Sequence, residues 1–173
     1  GHSMGAKIAL HTLEKNHTHI SELILLDPPI GAPYFKRKNS PSQRHRTYEH
    51  IDKLIERFRI IPKQPMPNPF INHYIAKHSI RTLQDGYQWQ FDPNFFAKFS
   101  TLGRESYAPP SSLRSNLYLI HGEYSTITTE SVISHIQSHY PSVQPILLPN
   151  AWHAIMLDQP LALTTIIESI VNN

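Results

Sequence analysis

Five residues at the start of the chain, Gly1-His2-Ser3-Met4-Gly5, restrict its fold more than any other stretch. The pattern G-x-S-x-G suits a sharp turn from a strand into a helix, with the serine at its apex. Glycines two residues to either side leave room for the tight backbone and for close helix packing. Such a turn lifts the Ser3 hydroxyl above a sheet, where a histidine and a carbonyl group can both reach it. The backbone N–H of Met4 would then face a developing oxyanion. Five residues of this composition are also what cloning leaves at a terminus, so the residues that follow must decide.

They continue as the turn requires. Met4, Ile8, Ala9, Thr12 and Leu13 recur at helical spacing, with Lys7, His11, Glu14 and Lys15 on the other face. The pattern stops in the polar run Asn16-His17-Thr18-His19. Glu22-Leu23-Ile24-Leu25-Leu26-Asp27 follows, an apolar run without alternation, as expected of a strand buried on both faces of a parallel sheet. Pro28 and Pro29 end it, because proline cannot join the ladder.

From Ile30 to about Pro110 the composition changes. Prolines 33, 41, 62, 65, 67, 69 and 93 cut the segment into short pieces. Two pieces are predicted helical: about Gln43 to Arg57, with Tyr48, Ile51, Leu54, Ile55 and Phe58 on one stripe, and Pro69 to Leu83, with proline in the first turn. Tyr34, Phe35, Phe58, Phe70, Tyr74, Tyr87, Trp89, Phe91, Phe95, Phe96 and Phe99 gather here. Residues 30–110 are read as a mostly helical cap inserted into a core made of residues 1–29 and 111–173. Most of its aromatics would form its own small core, and a minority would line a pocket.

The α/β rhythm then returns. Asn116–Ile120 reads as a strand closed by His121-Gly122, and Thr128 or Thr129 as the cap of a helix reaching about His139. Pro145–Leu148 is a third strand, running into Pro149-Asn150-Ala151-Trp152-His153. A last helix, about Pro160 to Val171, presents Leu161, Leu163, Ile166, Ile167 and Ile170. The fold class is therefore α/β, a parallel sheet flanked by helices.

Ser3 on its turn, Asp27 at one strand end and His153 after another fall at carboxyl ends of parallel strands, where sites in open α/β sheets form. A serine hydroxyl needs a base within hydrogen-bond reach. Histidine suits that role, and a carboxylate on its other nitrogen fixes the tautomer. Of the 12 histidines, most stand in polar runs such as His17, His19, His45 and His50, whereas His153 precedes the apolar Ala154-Ile155-Met156-Leu157. His2 is expected to shape the turn, and His121 to be structural. The pairs His17/His19, His73/His78 and His135/His139 lack the H-E-x-x-H pattern, and cysteine is absent, so no metal site is expected.

The chain resembles the C-terminal portion of an α/β-hydrolase-fold enzyme, beginning at its nucleophile elbow. The matching pieces are GHSMGAKIAL, ELILLDPP, NLYLIHGE and PNAWHAIMLDQPLAL, and RFRIIPKQP with IAKHSIRTLQDGYQWQFDP is similar to cap sequences of bacterial members. The resemblance implies Ser3 as nucleophile, His153 as base and half an oxyanion hole at Met4. The family's acid usually stands where this chain has Ser125. Some members place it at the end of the earlier strand, which is Asp27 here, and Glu123 is the other candidate. Strands that precede the elbow in the family, and the loop giving its second oxyanion donor, have no counterpart here, so the chain is expected to be a C-terminal portion with an open sheet edge.

The expected reaction is hydrolysis of a carboxylic ester or related acyl bond through an acyl-serine, with a small-molecule substrate and no cofactor. Ser3 argues against epoxide and haloalkane chemistry, which in this family uses a carboxylate nucleophile. A degenerate, inactive remnant serving as a binding module and an acyltransferase using the same residues are the alternatives. The formal charge of +3 is too small to argue for nucleic acid, and no run nears the roughly 18 apolar residues of a membrane span. A cytoplasmic location is the default expectation, and the oligomeric state is left open.

Overall fold

The computed structural model describes residues 1–15, 20–30, 46–94 and 115–172. The polar run 16–19, the aromatics Tyr34, Phe35, Phe95, Phe96 and Phe99, and the start of the expected helix at Gln43 lie outside them. The chain divides into two units, Gly1–Pro33 with Tyr107–Asn173, and Tyr34–Ser106.

In the first unit the apolar run after the opening helix is pulled flat between two layers. Helix α1 (Met4–Lys15) leads to strand β1 (Glu22–Leu26), which pairs in parallel with β4 (Asn116–Gly122), and β4 pairs in parallel with β5 (Pro145–Leu148). Leu26 stands opposite Ile120, and Gly122 opposite Leu148. Alternate residues of each strand point to opposite faces. Leu23, Leu25, Leu117 and Leu119 therefore join one cluster with Ala6, Leu10 and Leu13 of α1 and Val132, Ile133 and Ile136 of α4 (Glu130–His139). Ile120 and Leu148 join the other, with Ile155 of the short α5 (Ile155–Asp158) and Leu163 and Ile170 of α6 (Pro160–Val171). This two-sided burial is why β1 carries no polar alternation. At the start of α4, Thr129 makes no side-chain capping bond, and the Thr128 hydroxyl donates to Pro28 O at 3.1 Å instead.

The second unit holds α2 (Ile51–Ile55), α3 (Pro69–His78) and an antiparallel hairpin, β2 (Ile80–Leu83) and β3 (Gly86–Trp89). Two expectations are corrected here. The helix starting at Pro69 stops at His78, and the stripe residue Tyr48 is not helical but exchanges backbone hydrogen bonds with Tyr87 at 2.8 and 2.9 Å. Both changes centre on the hairpin, whose register leaves Gln84-Asp85 as its two-residue loop and opens β3 on Gly86. Gly86 adopts φ +138°, where an added Cβ would lie 2.4 Å from Tyr48 O, so its missing side chain lets residue 48 pair along β3. Leu54 and Ala76 are buried, whereas Phe70 and Tyr74 are exposed. Among the described residues no helix is long and apolar enough to cross a membrane.

Candidate active site

The opening pentapeptide runs alongside the end of β1 before it turns. Leu26 N–H donates to Gly1 O at 2.8 Å and Ser3 N–H to Leu26 O at 2.9 Å, so His2 bridges Leu26 in parallel. Ser3 then takes φ +52°, and α1 begins at once, with Ala6 and Lys7 N–H donating to Ser3 O. A left-handed serine costs on the order of 1–3 kcal/mol and persists only where its surroundings over-determine it. The ladder to Leu26 and the helix start supply that constraint. A Cβ on Gly1 would sit 2.6 Å from Gly5 O, so the first glycine is required by the turn. The second is not: a Cβ on Gly5 would meet nothing within 4 Å, and close helix packing does not account for this residue among the described contacts. Met4 is the first residue of α1, so its N–H has no acceptor within the helix, and none outside it among the described residues.

Asp27 also adopts a positive φ, +44°, one residue past the end of β1. Aspartate enters this region more readily than most side chains. Its N–H still reaches Ile120 O at 2.8 Å, and its side chain is fully buried. Three donors meet the carboxylate: Gly122 N–H on Oδ1 at 3.2 Å, and on Oδ2 the Ser125 hydroxyl and His153 Nδ1, each at 2.6 Å. Glu123 is placed elsewhere, accepting the Asn150 N–H at 2.9 Å.

His153 is 4% exposed and follows β5 in a loop held from several sides. Tyr124 N–H donates to Ala151 O, Trp152 N–H to Asp158 Oδ2 at 2.8 Å, and His2 Nε2–H to His153 O at 2.8 Å. Gly122 lets the loop approach β4: its missing Cβ would lie 2.3 Å from Trp152 O and 2.5 Å from Ala151 O. His153 Nε2 stands 3.0 Å from Ser3 Oγ.

These contacts fix the protons. A carboxylate only accepts, so Nδ1 of His153 carries a hydrogen toward Asp27; the neutral ring then presents Nε2 as an acceptor, and Ser3 donates to it. The arrangement is a hydroxyl, an imidazole and a buried carboxylate in one line, able to take a proton from Ser3 and hold it on an ion-paired ring. His2 is spent on the His153 carbonyl, with its ring 4.7 Å from that of His153. Burial holds the His2 pKa below its ordinary 6.5; the neighbouring His153 adds to this, while the backbone bond and Asp27 oppose it.

The structure thus brings together Ser3, Asp27 and His153, with Met4 N–H beside them in sequence, and leaves Glu123 in a separate contact. Asp158 is a further buried residue, at 4% exposure, and its one sign in the sequence is a carboxylate closing the otherwise apolar run Ala154–Leu157, at the end of α5. Ser125 reads in the sequence only as the lack of a carboxylate. Among the described residues no three His, Cys, Asp or Glu side chains gather as a metal site would need.

A parallel sheet between helices, a serine at a strained strand-to-helix turn and a histidine after the last strand define the α/β-hydrolase fold class. The chain belongs to the family described as serine aminopeptidase, S33, an α/β-hydrolase family whose profile matches residues 1–160. Among solved structures it is similar to the thioesterase domain from the curacin biosynthetic pathway, at 18% identity and TM-score 0.70, over 98% of this chain and 65% of that one. It is likewise similar to E-2-(acetamidomethylene)succinate hydrolase, at 16% identity and TM-score 0.73, over 100% of this chain and 65% of that one. An esterase from Mycobacterium tuberculosis matches at 16% identity and TM-score 0.69, over 100% and 59%. The chain therefore spans about 65% of the length of the first two. No curated protein matches it.

Proposed function

We propose that the protein carrying this chain is a serine hydrolase acting on a carboxylic ester or a related acyl bond through an acyl-serine intermediate. One observation carries the reading: Ser3 Oγ, His153 and Asp27 form an unbroken hydrogen-bonded line with contacts of 3.0 and 2.6 Å. In this reading Ser3 attacks the acyl carbon as His153 Nε2 takes its proton. Asp27 holds the ring's tautomer and stabilises the imidazolium. The Met4 N–H faces the oxyanion, and the ring returns its proton to the leaving oxygen. Water, activated by the same ring, then frees the acyl group and restores the Ser3 hydroxyl. The fold alone does not choose this chemistry, since one fold serves many.

The test is labelling by a fluorophosphonate probe, in this chain and in any longer version that carries it. Ser3 should label, and Ser3→Ala should abolish the signal. Asp27→Asn should slow labelling by up to about four orders of magnitude, whereas Glu123→Gln should leave it nearly unchanged. A folded protein whose Ser3 stays unlabelled would favour the binding-module reading. The aromatics of residues 30–110 lead us to expect a small or medium apolar acyl or alcohol group, read from rates across p-nitrophenyl esters of increasing chain length. Acyl transfer uses the same residues, and product analysis with a competing alcohol separates it from hydrolysis.

A further inference from the structure

Ser125 occupies the turn after β4, and its hydrogen bonds leave it little freedom. Its Oγ accepts the N–H of Ile127 at 3.1 Å and the N–H of Thr128 at 3.2 Å, which engages both lone pairs. The single hydroxyl proton is left to point at Asp27 Oδ2, 2.6 Å away. The turn itself is pinned by Ser125 N–H to Gly122 O at 3.1 Å and by the Thr128 hydroxyl on Pro28 O. The donor is therefore held in place from the same two strand ends that carry Asp27.

The carboxylate needs such a donor. Asp27 is 0% exposed, and a buried charge is tolerated only when its oxygens are met by donors. Oδ1 has one long bond from Gly122, and Oδ2 has Ser125 and His153. Without the hydroxyl, the plane of the carboxylate would be set by His153 and the 3.2 Å Gly122 bond alone, so the group that should aim the ring would be aimed by it.

We propose that Ser125 is a positioning residue that orients the Asp27 carboxylate toward His153 Nδ1. The proposal rests on Asp27 acting as the acid of the proposed function. It also accounts for a serine at the position where the resembling family usually carries its acid: the turn is kept, and donates to a charge supplied from β1.

The experiment compares Ser125→Ala, Ser125→Cys and Ser125→Thr with Asp27→Asn in the full protein carrying this chain. The readouts are the pH profile of Ser3 labelling and the exchange with water of the His153 Nδ1 proton, followed by NMR. Among the described residues, titratable groups near the pair include His2, whose ring is tilted against that of His153, the Gly1 amino group acting on His2, Asp158 on the Trp152 N–H, Glu123 on the Asn150 N–H, and the buried His121 on β4. Substitution at 125 alters none of these.

Ser125→Ala should slow labelling about ten- to a hundredfold, the usual range for a hydrogen bond to a charged group. It should also move the acid limb of the profile up by about half to one pH unit, because a carboxylate short of a donor favours the protonated ring more strongly. The Nδ1 proton should exchange several-fold faster. Ser125→Cys, with similar volume and a weak donor, should follow Ser125→Ala and covers the case in which alanine fails to fold. Ser125→Thr should restore the natural behaviour. An acid limb and a proton exchange unchanged in Ser125→Ala or Ser125→Cys, whatever the Tm, would reduce Ser125 to a turn former. Should Ser3 fail to label in the natural protein, the proposed function falls, and the Nδ1 proton still decides the Ser125–Asp27 link.

Discussion

Replacing Gly122 by alanine inserts one methyl group where the end of β4 touches the loop that carries His153. The added carbon would lie 2.3 Å from Trp152 O, 2.5 Å from Ala151 O and 2.9 Å from Ala151 C, all of them backbone atoms. No side chain can swing aside, so the loop itself must retreat, by about 0.7 Å for the closest contact to reach 3.0 Å. Trp152 directly precedes His153, whose Nε2 is 3.0 Å from Ser3 Oγ, and a retreat of that size lengthens or misaligns this bond. A misplacement on the order of 1 Å costs about a hundredfold in rate. Overpacking of this kind costs about 1–3 kcal/mol of stability, and a domain of 150–250 residues loses about 2–4 °C of Tm per kcal/mol. The assay is the second-order rate of fluorophosphonate labelling at a temperature where both proteins are folded, alongside thermal unfolding by circular dichroism. Gly122→Ala should label about a hundredfold more slowly, beyond what its unfolded fraction explains. A natural labelling rate with a lowered Tm would show that the contact packs the loop without aiming His153. A natural rate and a natural Tm together would refute the steric reasoning.

Gly5→Ala should behave in the opposite way, since its Cβ meets nothing within 4 Å and alanine is favoured over glycine inside a helix by about 1 kcal/mol; in this chain its denaturant midpoint should rise, and a fall would mean that a neighbour outside the described contacts closes on it. Burial lowers the His2 pKa, so the unfolded chain binds the proton more readily, and the stability drawn from neutral His2 is present above about pH 6.5 and is lost as pH falls below it. His2→Gln, which keeps an N–H donor for His153 O but does not titrate, should flatten that part of a Tm-against-pH curve. Asp158→Ala removes the acceptor of Trp152 N–H at 2.8 Å and leaves a donor of the His153 loop unpaired, which should cost about 1–3 kcal/mol in urea unfolding; an unchanged midpoint would mean that another acceptor takes its place.

What could be read in the sequence was what depends on near neighbours and on the direction of parallel strands. The run Glu22–Leu26 announced burial on two faces, and the structure sends Leu23 and Leu25 to one cluster and Ile24 and Leu26 to the other. The last helix and the third strand also fall where their patterns put them. The hairpin in the second unit is less legible: a helical period read on from Pro69 runs across it, and only Gly86, at φ +138° beside Tyr48 O, marks the break. Gly5 shows the reverse error, in which a motif suggested a packing reason that the contacts of this chain do not contain. The Ser125 bond to Asp27 could not be read at all. It joins residues 98 apart, and a hydroxyl gives no sign in sequence of which acceptor it will meet.

The site's geometry and the fold's stability are tied together through the strand ends. Two of its residues, Ser3 and Asp27, hold positive φ angles of 52° and 44°, conformations that a loose loop would abandon. Each is locked by a ladder bond: Ser3 N–H to Leu26 O, and Asp27 N–H to Ile120 O. Those acceptors belong to β1 and β4, whose side chains fill the two clusters on either face of the sheet. Burial at the middle of the sheet thus supplies the free energy that keeps its carboxyl edge strained. A core truncation such as Leu119→Ala, which touches none of Ser3, Asp27 or His153 by a hydrogen bond, should therefore slow Ser3 labelling as well as lower stability. If labelling per folded molecule stayed constant while stability fell by the roughly 2–5 kcal/mol typical of such a truncation, the strained edge would have to be held by its own hydrogen bonds and not by the core beneath it.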